Sequence, residues 1–344
     1  MLTYRRTARL AAAFAVGALV LAACGGDDEP AAPGGPPASG HEFNVSTTRI
    51  INPSTQTGGT LRLGAGSDCD SWDPARAYYG YCWNLQRLYA RTLVTFAPDP
   101  TRSTDLEPDL ATSVGTPNAD FTQFTYTLKD GIKYEDGTPI TSPDVKYAVE
   151  RNFAPDVING GPNNYLHCQV DTCTDGAPQY TGPYSDAENE PMVNGQPSIQ
   201  TPDEKTIIFN LATPNASFDY LLAMGTASPI PQAKDTGENY SQAPVSSGPF
   251  KIDTYDRDTG ITFVRNDQWD QVTDTVRKPL LDSVEIEYIS NLDDLDQRLK
   301  AGTLDARVDG DLQPTFQTEV FSDPNLKKYI DNPIDGALSY LVVF

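Results

Sequence analysis

Apolar residues recur along the chain in two periods. Phe124, Tyr126 and Leu128 alternate with Thr and Lys, the pattern of a strand with one buried face. Asp130-Gly131 then predicts a turn into Ile132-Lys133-Tyr134, and Asp136-Gly137 a second turn, so this stretch reads as an antiparallel hairpin. Ile207, Phe209 and Leu211 share the face of another strand, and further strands are expected over 60–63, 250–255, 261–265 and 284–289. The period lengthens to that of a helix over 142–153, where Val145, Ala148, Val149 and Phe153 recur. Thr141-Ser142-Pro143-Asp144 sets a capping hydroxyl three residues before a carboxylate there. A short helix is expected over 218–224. Asn291 caps another that carries Leu292, Leu295 and Leu299, and Gly302 ends it before a strand over 304–308. Strand, helix and strand in succession over 284–308 indicate an α/β fold. From 154 to 200 Pro, Gly, Asn and Asp dominate, no period survives, and a long irregular excursion is expected.

The first residues follow a different logic. Arg5, Arg6 and Arg9 precede a small and apolar run from Leu10 to Ala23, long enough for a leader core but too short for a bilayer span. The run ends in Leu21-Ala22-Ala23-Cys24-Gly25, which resembles the lipobox of bacterial lipoproteins. That resemblance implies removal of residues 1–23 and a lipid on Cys24, against the plainer reading of a leader cut elsewhere beside a chance cysteine. Residues 24–57, rich in Gly and Pro, read as a flexible tether.

Composition narrows the function. A length of 344 residues suits about two domains. The 47 acidic residues against 25 basic ones give a formal charge of -22, which repels a phosphate backbone, so no nucleic-acid partner is expected. The 2 histidines, His41 and His167, are too few for a multi-imidazole metal centre, and neither a metal nor a cofactor is expected. With Cys24 assigned to lipid, Cys69, Cys82, Cys168 and Cys173 form an even set in an exported protein. Proximity favours Cys69 with Cys82 and Cys168 with Cys173, one of the three connectivities that four cysteines allow.

Several ordered segments carry a family resemblance. They are Gly58-Gly59-Thr60-Leu61-Arg62, Trp72-Asp73-Pro74-Ala75, Leu106-Glu107-Pro108-Asp109-Leu110-Ala111 and the run from Tyr126 to Pro139 with Asp144-Val145. Ser247-Gly248-Pro249-Phe250, Arg265-Asn266-Asp267-Gln268-Trp269, Pro279-Leu280-Leu281-Asp282 and Leu299 to Asp305 follow. Together they resemble the extracellular solute-binding proteins of the peptide and nickel importer family, although Gln268-Trp269 stands where Tyr is commoner. The resemblance implies a periplasmic-binding-protein-like (type II) α/β fold of two lobes, the first a mixed sheet with a small α+β subdomain. Residues 58–92 and 245–312 would form the first lobe, 93–244 an inserted subdomain and 313–344 the start of a second lobe. The family's second lobe continues well beyond this point, so the apolar end at Leu341-Val342-Val343-Phe344 reads as a stop inside a longer protein. The implied function is capture of a solute, an oligopeptide first, by a monomer anchored to the outer face of the bacterial cytoplasmic membrane. The solute would pass to the permease of an ATP-driven importer.

For the site, Tyr81 and Trp83 flank Cys82 in a segment dense in aromatics, which serve either as lobe core or as cleft lining. Gly248 after Ser247 suits either close approach to a ligand or a plain turn before a strand, and both are carried as ligand-binding candidates. Asp253, Asp256 and Asp258 miss the spacing of a calcium loop and lack its distal Glu, which favours a hairpin turn. No nucleophile or phosphate-loop motif stands out, so no enzyme is expected. A secreted hydrolase using a carboxylate pair and an adhesion lipoprotein are the alternatives.

Overall fold

The computed structural model of the chain describes residues 48–50 and 53–327. The leader, Cys24, His41, most of the tether and the apolar stretch 341–344 lie outside the described residues.

Strand β1 (Thr60–Ala65) leads through a long loop into helix α1 (Gly80–Tyr89). Strands β2 (Val94–Phe96), β3 (Leu106–Pro108), β4 (Thr116–Pro117) and β5 (Gln123–Thr127) precede helices α2 (Ser142–Arg151) and α3 (Asn164–Val170). Two short ladders follow, β6 (Cys173–Thr174) with β7 (Ala177–Pro178) and β8 (Met192–Val193) with β9 (Gln196–Pro197). Next come β10 (Ile199–Gln200), β11 (Thr206–Asn210) and α4 (Phe218–Leu221). The chain then forms β12 (Phe250–Asp256), β13 (Gly260–Arg265), β14 (Ser283–Tyr288), α5 (Leu292–Ala301), β15 (Ala306–Arg307), α6 (Pro314–Ser322) and α7 (Pro324–Lys327).

A five-stranded sheet runs β12-β13-β14-β1-β15. The first three strands are antiparallel, whereas β1 lies parallel to both β14 and β15, with Leu63 opposite Ile286 on one side and Ala306 on the other. Helix α5 therefore carries the chain from β14 over β1 to β15. Asn291 caps it through its side-chain oxygen, and Gly302, in the left-handed region at φ 72°, ends it. The core on this sheet gathers Leu63, Trp72, Tyr89, Phe250, Phe263 and Ile286, with Trp72 edge-on to Phe263 at 5.6 Å.

A four-stranded sheet, β10-β11-β5-β4, belongs to the inserted stretch. Phe124 and Tyr126 face Phe209 and Ile207 across the β5/β11 pair, and α2 covers them with Val145 and Val149. The expected cap of α2 forms: the Asp144 carboxylate accepts from the Thr141 N–H and hydroxyl, both at 2.8 Å. Each large apolar side chain in these cores contributes on the order of 1.5–3 kcal/mol relative to exposure.

Three elements differ from the sequence reading. The alternating strand at 124–128 does not turn back onto 132–134. Its partner is β11, about eighty residues on, and Ile132 to Tyr134 instead folds against Thr138 to Ile140 around Asp136-Gly137. Periodicity reveals which face is buried, not which strand pairs with it. The excursion after 154 contains α3, whose apolar content is little more than Leu166 and Val170, too short a repeat to stand out. It is held by the Cys168–Cys173 disulfide and by His167, whose Nε2 lies 2.7 Å from the Asn152 carbonyl and whose ring stacks at 4.5 Å on Phe153. The strand expected over 304–308 pairs only at Ala306 and Arg307.

Between the two sheets the chain crosses at residues 89–94 and 245–248. The Ser247 and Gly248 N–H groups both donate to the Tyr89 carbonyl at 2.8 Å, and the Ser247 hydroxyl accepts from Arg91 N–H at 2.9 Å. Beside this crossing is a buried ionic cluster. Arg91 Nε meets Asp109 at 2.7 Å, Arg277 meets Asp109 at 2.8 Å and Asp274 at 3.1 Å, and Arg91 also donates to Thr273. A second buried group joins Arg151 of α2 to Asp73 and Asp235, each at 2.9 Å. Burial alone would lower the Arg151 pKa, but the two carboxylates outweigh it and raise it.

Candidate functional site

The parallel strands β1, β14 and β15 end on the same edge, and open α/β sheets favour ligands outside the carboxyl ends of such strands. A crevice of about 580 Å³ lies at this edge, lined by Gly66, Ser290, Leu292, Arg307, Asp309 and Gln313 among others. Its floor is fixed by hydrogen bonds. The Gly66 N–H donates to both oxygens of Asp309, at 3.1 and 3.0 Å. Arg307 donates to the Asp309 carbonyl at 2.8 Å and to Asp296 at 3.0 Å, and Asp296 also accepts from Gln313 N–H at 2.7 Å.

The loop leaving β1 is organised by Asp68. One carboxylate oxygen accepts from Cys69 N–H at 2.7 Å and from the Trp72 indole at 3.0 Å, and the other accepts from the Tyr255 hydroxyl at 2.6 Å. The Asp68 carbonyl takes the Tyr81 hydroxyl at 2.9 Å. A disulfide joins Cys69 to Cys82 with the Cα atoms 5.8 Å apart, so the start of α1 is tied to the end of β1. Between these points Tyr78 and Tyr79 stand 54% and 51% exposed; Tyr78 packs edge-on to Trp83 at 6.1 Å and Tyr79 against Tyr81 at 5.8 Å. The Tyr165 phenol beside Tyr78 raises the pKa of its hydroxyl. These rings form an aromatic ledge with its backbone locked on both sides, and Tyr81 is the ring whose hydroxyl senses Asp309 of the crevice.

Electrostatics give the ledge a sign. Burial raises the Tyr81 pKa, and the carboxylates of Asp309, Asp68 and Asp70 raise it further, against a lowering by Ser67. Tyr81 therefore sits in an acidic field set partly by Asp309 of the crevice, an environment that suits a cationic head group on a partly apolar ligand.

Of the residues singled out from sequence, Tyr81 lies at this ledge, half-buried. Trp83, two residues on, donates to the Ala77 carbonyl at 2.7 Å and turns part of its surface toward a separate crevice beyond α1. Ser247 and Gly248 sit elsewhere, buried at the crossing, with their polar groups engaged by residues 89–91. Asp256 accepts from the N–H groups of Asp258 and Thr259, each at 3.0 Å, and so closes the β12/β13 turn. Among the described residues no group of three or more His, Cys, Asp or Glu is placed to hold a metal ion, and no helix is long and apolar enough to cross a membrane. Sequence reasoning missed Gly66, Asp68, Arg307 and Asp309. Their signal was position alone, immediately beyond predicted strand ends.

Comparison with known proteins places this geometry. The solved "Clavulanic acid biosynthesis oligopeptide binding protein 2" shares 41% identity and a TM-score of 0.76, over 83% of this chain and 50% of that one. Listeria monocytogenes OppA bound to peptide, at 19% identity and a TM-score of 0.57 over 73% of this chain and 46% of its own, shares the fold. Among curated proteins, the "Probable D,D-dipeptide-binding periplasmic protein" of Escherichia coli (strain K12) is 27% identical over 79% of this chain and 47% of its own length. The oligopeptide-binding protein OppA of Bacillus subtilis (strain 168) is 28% identical over 68% of this chain and 39% of its own length. The chain thus spans half or less of the length of these relatives. Its mixed α/β architecture is that of the type II periplasmic-binding-protein-like fold, of which it covers part. The model of the bacterial extracellular solute-binding proteins, family 5 (middle region), matches residues 105–343, and the chain belongs to that family.

Proposed function

We infer that this chain supplies one wall of the solute cleft of an importer's extracellular receptor, and that the solute is an oligopeptide. The observation that carries this is the crevice at the carboxyl edge of β1, β14 and β15, whose Asp309 acts on the hydroxyl of Tyr81 beside the Cys69–Cys82 staple. A peptide brings an ammonium group for the acidic field and side chains for the rings, and several of the relatives are named as peptide-binding proteins. Residues 58–92 and 245–312 would act as the first lobe, 93–244 as its inserted subdomain and 313–344 as the start of a facing lobe. Residues 1–23 would direct export and Cys24 would carry the lipid, with 24–57 as tether, which places a monomeric receptor at the outer face of the cytoplasmic membrane beside its permease. This reading requires no bond to be made or broken in the solute.

Titration calorimetry with di- to pentapeptides, on this chain and on a version extended by the portion that its relatives carry, tests the reading. Saturable peptide binding by the extended version, weakened at least about tenfold by Tyr81→Ala and weaker still in the 344-residue chain, is expected. Binding of no small solute by the extended version would refute it. Replacement of Cys24 by Ala should release the protein from the membrane fraction; full retention would refute the anchor.

A further inference from the structure

A second crevice, of about 390 Å³, lies where α1 meets the inserted stretch. Trp83, Gln86 and Arg87 line it from α1, and Phe96, Tyr220 and Ser228 from the insertion, and it shares no lining residue with the crevice at the strand ends. Its size is within the range of small-molecule sites.

Three features of its walls point to one kind of occupant. Gln86 and Ser228 are 5% and 3% exposed, and the Gln86 Nε2 and Ser228 Oγ atoms have no hydrogen-bond partner among the described residues. A buried polar atom left so costs on the order of 1–3 kcal/mol, and two in one crevice fit a ligand that pairs with them. Arg87 is the second feature. The neighbouring Arg91 and Arg277 are each matched by Asp109 and Asp274, whereas Arg87 makes no ion pair within 4.0 Å among the described residues, senses Asp109 only from farther off, and lies over the Phe96 ring at 6.0 Å. Burial, and then Arg277, lower its pKa, with Asp109 offsetting them only in part, and an incoming anion would relieve the remainder. The third is the pair of rings, Phe96 and Tyr220, whose centroids are 6.2 Å apart at the mouth of an otherwise largely apolar wall.

We propose that this crevice binds a small aromatic carboxylate, separately from the peptide cleft. Arg87 holds the carboxylate at the exposed end, Phe96 and Tyr220 flank the ring, and a hydroxyl or carbonyl at the inner end reaches Gln86 and Ser228. Because α1 belongs to the five-stranded sheet layer and Phe96, Tyr220 and Ser228 to the insertion, such a ligand bridges the two and stabilises their junction. An anion site also has a use in so acidic a chain, since it can respond to a metabolite that the peptide cleft repels.

The test uses 4-hydroxyphenylacetate as probe and 4-hydroxyphenylacetamide as its uncharged control, with calorimetry and thermal melting of the whole chain. Saturable one-to-one binding is expected, with a melting temperature that rises with ligand, at least about tenfold weaker for the amide and for Arg87→Gln. Ser228→Ala should weaken it less, and Ala223→Trp, which fills the crevice, should abolish it. Tyr81→Ala should leave it unchanged, and Arg87→Gln should leave peptide affinity unchanged, so failure here and failure of the peptide reading are distinguishable. Equal affinity of the acid and the amide, an unaltered Arg87→Gln variant, or no saturable binding of the acid below about 10 mM overturns the proposal. Arg87 has an exposed residue surface and no ion pair within 4.0 Å among the described residues, so Arg87→Gln is expected to fold even where Ala223→Trp does not.

Discussion

Arg91 Nε lies 2.7 Å from Asp109 Oδ1 with both side chains sealed from water, and Arg277 closes on the other carboxylate oxygen at 2.8 Å. Burial alone would raise the Asp109 pKa, but Arg277 and Arg91 outweigh it and hold the carboxyl at about 2. Removing this charge leaves two buried guanidinium groups with only Asp274 between them. Asp109→Asn should therefore cost about 2–3 kcal/mol at pH 7. A depressed carboxyl contributes stability that is complete above its unfolded pKa of about 3.9 and lost as pH falls toward 2. Urea midpoints of parent and variant should thus converge between about pH 4 and pH 2; a gap independent of pH would contradict the assignment.

Glu150 carries the opposite sign. Burial pushes its carboxyl up to about 7, Lys146 pulls it down in part and Glu190 pushes it up again. The Oε1 atom has no hydrogen-bond partner among the described residues. A raised carboxyl favours folding below its unfolded pKa of about 4.3 and loses that contribution as pH climbs through 7. Glu150→Gln should accordingly stabilise the chain by about 1–3 kcal/mol at pH 8 and by little at pH 5. Melting curves at the two pH values would show it, and a variant that is less stable at pH 8 would argue against a buried, strained carboxylate.

The Cys69–Cys82 bridge closes a loop of 13 residues' separation under the aromatic ledge. Replacing both cysteines by Ser should lower stability by about 2–3 kcal/mol on the loop-entropy account. It should also speed amide exchange from Asp70 to Tyr81, while Thr60–Ala65 stays protected. Unchanged exchange in the loop would mean that Asp68 and its hydrogen bonds hold the ledge unaided.

At the crossing, a Cβ on Gly248 would sit 2.6 Å from the Leu88 carbonyl oxygen and 2.8 Å from the Tyr89 carbonyl carbon. Both are backbone and cannot rotate away. Gly248→Ala should destabilise by about 1–3 kcal/mol, read from denaturant midpoints, and a neutral substitution would show that the two crossings have slack.

Much of the secondary structure was written in local pattern. Thr141 and Asp144 announced the start of α2, Asn291 and Gly302 bounded α5, and the strand expected over 284–289 matched β14. What pattern could not carry was partnership across long distances, as in the pairing of Phe124 with Phe209 rather than with a residue around 132. The site divides in the same way. Tyr81 stood out because aromatics crowd around Cys82, but Asp309 and Gly66 lie 243 residues apart and have no common motif. The ordered segments containing Asp73 and Asp109 were conspicuous as family marks, yet nothing in sequence told that each is the carboxylate of a buried arginine knot. Charge partners of that kind are chosen by the tertiary fold, since any of 47 acids could have served.

The position of β1 between β14 and β15 also sets a schedule during synthesis. Thr60 bonds to Ser283 across 223 residues of chain, so the first strand emerges from the ribosome long before either neighbour exists. The core of the insertion, by contrast, draws its members from Leu93 to Ala227 and can condense once that span is out. Roughly 80 further residues must be made before Arg307 completes the edge, a wait of roughly 4–16 s at 5–20 residues per second. During that time β1 has neither of its partner strands, whereas the insertion already has every member of its own core.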